Sequence, residues 1–150
     1  MTINYCPICG VVLNEGNRGD KYYYGKRVCN HCEKVIKKIK NFNKKTRRRF
    51  AKKNLRENFE EISLKDFYSL NKFFGGNKNV FISAITGREL DFEEISFDHI
   101  VPICKGGTNN IHNLIIIEKE INNDKDDKDI EELGLSKTII NKINEWQNTK

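Results

Sequence analysis

Two C-x-x-C pairs, Cys6-Pro-Ile-Cys9 and Cys29-Asn-His-Cys32, constrain this chain more than any other feature of its sequence. Each pair closes a tight turn that aims two thiolates at one point, and a hairpin over residues 10–28 brings the turns together. Within that stretch Gly10, Gly16, Gly19 and Gly25 punctuate turns, and the Tyr22-Tyr23-Tyr24 run reads as strand. Four thiolates suit tetrahedral zinc. They leave no open coordination position for water, so the expected role is structural rather than catalytic. Disulfide pairing is the competing reading, disfavoured in a reducing compartment. His31 lies inside the second turn, but the flanking cysteines already complete a set of four. Cys104 has no partner in sequence and reads as a small buried or half-buried thiol.

Composition explains the need for such a staple. Of 150 residues only 37% are hydrophobic and 32% are charged, which is lean for a self-contained core. The net charge of +6 is segregated: residues 1–60 carry 16 Lys/Arg against 5 Asp/Glu, and residues 61–150 carry 11 against 16. A strongly basic half beside a mildly acidic one suits a polyanion grip joined to a site that needs carboxylates. Nucleic acid is the expected partner rather than a membrane, because no apolar stripe with aromatic anchors accompanies the charge. No apolar run approaches the roughly 18 residues needed to span a bilayer. The start, Met-Thr-Ile-Asn-Tyr-Cys-Pro, lacks a charged-then-apolar leader, and the chain reads as cytoplasmic.

Beyond Cys32 the texture becomes helical. No Gly or Pro interrupts residues 26–74, and Val35, Ile36, Ile39 and Phe42 fall at helical spacing. Residues 34–56 carry twelve Lys/Arg, which predicts a long basic helix, with a break expected near Asn41–Asn43. A second helix fits Leu64 to Phe74, with Ser63 as N-cap. Strand and turn then alternate: Val80 to Ile85, a Thr86-Gly87 turn, Ile95 to Val101, a Lys105-Gly106-Gly107 loop, and Leu114 to Ile117. A helix is expected from about Glu118, and an amphipathic one from Ser136 to Gln147.

The chemistry concentrates in one stretch. It runs Ser96-Phe97-Asp98-His99-Ile100-Val101-Pro102, then Lys105-Gly106-Gly107-Thr108, Ile111-His112-Asn113-Leu114, and Ile121-Asn122-Asn123-Asp124-Lys125. A strand ending at Asp98-His99 directs the two side chains to different sides, so one can hold a metal while its neighbour addresses a water. The order and spacing of these pieces, over residues 80–130, resemble the HNH, or ββα-metal, endonucleases; Thr86-Gly87-Arg88-Glu89-Leu90 is similar to their lead-in strand and turn. The first cysteine turn, Cys6-Pro-Ile-Cys9-Gly10, is similar to a zinc-ribbon knuckle.

The resemblance implies an α+β fold: a four-cysteine ribbon over 1–33, a basic helical region over 34–76, a ββα-metal core over 77–133 and a C-terminal helix over 134–150. It implies His99 as general base toward water, and Asp98 and Asn122 as ligands of one Mg2+ or Mn2+ ion. Asn113, on the second strand, would pin the loop between the strands and support the orientation of His99. Lys125 would either touch phosphate or be solvated on its helix. His112 reads as peripheral, a candidate DNA contact, and the Asp124, Asp126, Asp127 and Asp129 run either supplies an extra ligand or is a solvated helix start. Many family members carry a second C-x-x-C pair around the catalytic helix. Glu118 and Ile121 stand there instead, so no zinc is expected in the core.

The expected DNA grip is Lys37, Lys38, Lys44, Lys45, Lys52 and Lys53 with Arg47, Arg48 and Arg49, acting largely on phosphates of a duplex. One active site cuts one strand, so double-strand cleavage would call for a homodimer or two successive nicks, and a homodimer is the expected state because so small a chain gains core by pairing. No small-molecule cofactor is expected. The layout is similar to that of restriction-like and phage- or homing-like enzymes. Two other readings compete: a zinc-ribbon regulator with an inactive core, and a nicking subunit of a phage DNA-packaging assembly.

Overall fold

The computed structural model describes residues 2–149 of a mixed α+β chain. The described residues form three two-stranded antiparallel sheets and four α-helices. The chain divides into two compact units, Met1–Phe42 and Asn43–Lys150. No helix among the described residues is long and apolar enough to cross a membrane.

The first unit is a hairpin between two cysteine turns. Strand β1 (Arg18–Tyr23) pairs with β2 (Lys26–Cys29), with Tyr23 opposite Lys26. The connection is the two-residue turn Tyr24-Gly25, whose φ values of +49° and +75° match the handed twist that tight hairpins need. The first cysteine turn closes through Gly10 N to Cys6 O at 2.9 Å and Cys6 N to Val11 O at 2.8 Å. Helix α1 (Asn30–Lys52) begins inside the second cysteine pair rather than after it. Its Glu33 carboxylate reaches back to accept Asp20 N at 2.6 Å and Lys21 N at 3.1 Å, fastening hairpin to helix. Val28, Val35 and Ile39 are buried as this unit's small core.

The break expected near Asn41–Asn43 is absent; α1 is continuous to Lys52. Asparagine weakens helices by competing for nearby backbone groups. Here Asn43 is buried and its amide is engaged elsewhere, donating to Ile62 O and accepting from Ile62 N, both at 3.0 Å.

In the second unit Asn43, Thr46 and Phe50 form the buried stripe of α1, at spacings of three and four. Helix α2 (Leu64–Phe73) starts at a capping box between Ser63 and Asp66. Strands β3 (Phe81–Ile82) and β4 (Glu89–Leu90) are shorter than the sequence suggests. After Ile82 the chain leaves β3: Ser83 and Gly87 close a turn, and Ala84 N bonds to Ile116 O at 2.9 Å. Strand β5 (Ile95–His99) pairs with β6 (Leu114–Glu118), with Ile95 opposite Glu118 and His99 opposite Leu114. Every residue of β6 is buried, as an unbroken apolar run demands when both faces are covered. Helix α3 (Lys119–Lys125) packs on β5 and β6, and α2 packs on β6. Phe67 of α2 meets Phe81 and Phe97, each at 5.7 Å between ring centroids. Helix α4 (Lys137–Gln147), capped by Ser136, brings Trp146 Nε1 to Ile111 O at 3.2 Å and Leu114 O at 3.1 Å.

The loop between β5 and β6 makes opposite demands on its paired glycines. Gly106 has φ +91° and open space where a Cβ would stand; at Gly107 a Cβ would lie 1.8 Å from Val101 O. Gly107→Ala is therefore expected to cost about 2–3 kcal/mol as the loop is forced open. Gly106→Ala pays only left-handed strain, roughly 1 kcal/mol. Thermal melts of the two variants check the order.

Candidate active site and metal centre

β5 delivers Asp98 and His99 to the floor of a cleft of about 150 Å³, whose lining includes Arg49, Asn122, Asp126 and Asp127. The structure thus gathers three of the four candidate chemical residues, Asp98, His99 and Asn122, around one space.

His99 is buried, and its Nε2 lies 2.9 Å from Asn109 Oδ1. Phe50 meets its ring edge-on, at 6.2 Å and 71°. Burial drives the imidazole pKa down to about 4; the Asn109 hydrogen bond opposes this, and the charges of Arg49 and Lys125 reinforce it. The ring is therefore neutral near pH 7 and can accept a proton.

Asp98 is also buried, and burial pushes its carboxyl above the usual range while the Lys125 ammonium pulls it back. Lys125 Nζ lies 3.0 Å from Asp98 Oδ2 as a buried ion pair. Asp98 Oδ2 is buried, and apart from that ammonium no donor among the described residues reaches it. Asn122 Nδ2 donates to Ser96 Oγ at 2.6 Å and Phe97 O at 3.4 Å. A carbonyl can only accept, so the amide nitrogen faces β5 and Oδ1 is left as acceptor. A buried carboxylate beside an amide oxygen is a donor set that fits a hard divalent cation keeping most of its shell for water and phosphate.

Asn113 lies elsewhere, in a one-turn helix just before β6 rather than on the strand. Its Oδ1 accepts Val101 N at 2.9 Å, and its Nδ2 donates to Val101 O at 3.1 Å and Thr108 O at 2.7 Å. With Ile100 N on Asn113 O at 2.8 Å, these bonds end β5 at His99 and tie the loop shut.

Several expectations change. Lys125 is neither solvated nor available to phosphate: it is 1% exposed, held between Asp98 and His99 O. His112 is half-buried: its Nδ1 lies 3.1 Å from Trp146 O and its ring packs on Trp146 at 4.5 Å. Cys104 is exposed, not buried. Eight of the nine cations chosen for the grip, all but half-buried Lys38, are exposed on or just beyond α1. Arg47 is ion-paired with Glu61 and stacked over Phe59, and Arg49 reaches the cleft wall.

Two features escaped the sequence. Asn109 is wholly buried against His99, with no local pattern to mark it. Glu118 is buried and accepts Ser83 Oγ at 2.7 Å and Thr86 Oγ1 at 2.5 Å, clamping the lead-in turn to β6.

In the first unit the Sγ atoms of Cys6, Cys9, Cys29 and Cys32 all lie within 4.8 Å of one another. Cys9 and Cys29 are 3.7 Å apart. A zinc tetrahedron with bonds of about 2.3 Å has edges of about 3.8 Å. Burial works against ionising the Cys6 thiol, yet backbone amides of Cys9, Cys29 and Ile8 bring it to about 7. Burial pushes Cys29 and Cys32 up. This cluster is able to hold zinc.

Residues 83–129 match the HNH endonuclease family. No curated protein and no solved structure matches the chain. The HNH segment spans β4 to α3 and so includes Asp98, His99, Asn113, Asn122 and Lys125; α1 and the four cysteines lie outside it. The match supports a nuclease of the HNH type, a class that uses divalent metals and acts on DNA.

The Lys125–Asp98 pair gives a stability test. Lys125→Met leaves a buried carboxylate without its counter-charge, and in metal-free buffer is expected to cost about 3–5 kcal/mol. Adding Asp98→Asn to the same chain should restore most of that loss, as read by thermal or urea unfolding.

Proposed function

We propose that this protein is a divalent-metal-dependent endonuclease that hydrolyses DNA phosphodiester bonds. The observation that carries the reading is the single cleft in which neutral His99, Asp98 and Asn122 converge inside the HNH segment. His99 accepts a proton from water as the water oxygen bonds to phosphorus. The bond from phosphorus to the 3′ oxygen breaks, leaving a 5′-phosphate and, after protonation from solvent, a 3′-hydroxyl. Asp98 and Asn122 would hold one Mg2+ or Mn2+ ion, which when bound neutralises the scissile phosphate and the departing oxygen. The Lys125 ammonium opposes the burial of Asp98 by favouring its charged form, and Asn113 holds the loop that carries part of the cleft wall.

Arg49 is set to take a non-bridging phosphate oxygen at the cleft wall, while Lys44, Lys45, Arg48, Lys52 and Lys53 neutralise the flanking backbone. Lys37 and Lys38 extend the same helix's charge beyond them. One cleft cuts one strand, and a homodimer with two-fold symmetry would cut both. The cysteine centre would hold a structural zinc ion. A site-specific role, restriction-like or phage- or homing-like, suits this pairing of a small grip with a small cutting core.

Supercoiled plasmid incubated with Mg2+ or Mn2+ tests the chemistry. His99→Ala is expected to cut about 10²–10⁴-fold more slowly than wild type; equal rates would refute the assignment. For the cysteine centre, elemental analysis should find one zinc per chain, and Cys32→Ser should lose it. A full zinc complement in that variant would count against four-cysteine ligation.

A further inference from the structure

Asn109 does not line the cleft, yet it is 0% exposed, and its backbone N–H and both polar atoms of its side chain are engaged. Its backbone N donates to Asn58 O at 2.9 Å, its Nδ2 donates to Glu60 O at 2.7 Å, and its Oδ1 faces His99 Nε2 at 2.9 Å. These contacts are not interchangeable. The Glu60 carbonyl can only accept, so the amide cannot flip without setting oxygen against oxygen in a buried place. With the amide locked, Oδ1 is an acceptor toward the ring, and Nε2 must be the nitrogen that carries hydrogen.

We infer that Asn109 is a positioning residue that holds the hydrogen of the His99 ring on Nε2, so that Nδ1 is the atom that takes the proton from water. The inference rests on the reading of His99 as the base. It adds that the base is oriented from outside the HNH segment: Asn58 and Glu60 precede residue 83 and belong to the stretch that follows α1. Phe59, between them, packs on Phe50 at 6.0 Å, and Phe50 meets the His99 ring edge-on. One short stretch thus fixes both what the ring donates to and the residue that packs against it. Glu60 also accepts Asn110 Nδ2 at 2.9 Å, which fastens the same loop a second time.

The test is side-chain nitrogen NMR of the full-length protein labelled with 15N-histidine, the three histidines being assigned with His99→Ala and His112→Ala. Wild-type His99 should be neutral and protonated at Nε2, with a slowly exchanging Hε2 resonance. Asn109→Ala should abolish that resonance and lower kcat about 10- to 100-fold with KM little changed. Asn109→Asp, close in size and still an acceptor, serves if alanine prevents folding: a charged acceptor must displace the Hε2 resonance. A wild-type His99 protonated at Nδ1, or an Hε2 signal unmoved in both variants, overturns the inference. Wild type that holds the tautomer but cuts no DNA overturns instead the nuclease reading, because the spectrum needs no substrate.

Discussion

Five consecutive buried residues, Leu114–Glu118, paired in register with Ile95–His99, are the constraint on which the second unit depends. Slipping this ladder by one residue would move every side chain to the other face. In the observed register the two ends do different work. At one end Asp98 and His99 reach the cleft; at the other Glu118 clamps the lead-in turn and α3 begins. α3 then returns along the sheet and sets Asn122 and Lys125 beside Asp98 and the His99 carbonyl. The apolar run supplies the ladder, and the ladder supplies the site.

A buried site made of polar groups is stable only if each group is answered. Here the answers come from separate segments. Lys125 neutralises Asp98 from α3, Asn109 receives the His99 ring from the loop, and Asn113 closes that loop on the end of β5. Asp98 itself lines the cleft, with its Oδ2 buried against the Lys125 ammonium. Preorganisation of this kind spares the reaction the cost of arranging its groups.

The features legible from sequence were those set by neighbours a few residues apart. The two cysteine turns and the Ser63 cap follow from spacings within short windows, while the α+β class and the HNH segment were legible through the family resemblance of one stretch. The expected break in α1 failed because the competing partner of Asn43 is Ile62, nineteen positions away. Lys125 looked like any lysine near the end of a helix; its burial depends on how α3 lies against β5.

By itself the sequence determined which residues could do chemistry and which could gather a metal, since residue type and local spacing govern both. Only the tertiary structure decided what each does. Burial makes His99 a neutral ring, and contact with Asp98 takes Lys125 from solvent. The approach of residues 58–60 turns Asn109 into a partner of His99, and the course of α1 puts Arg49, alone of its triplet, at the cleft. Dielectric environment and long-range contact are properties of the folded chain, and no window of sequence contains them.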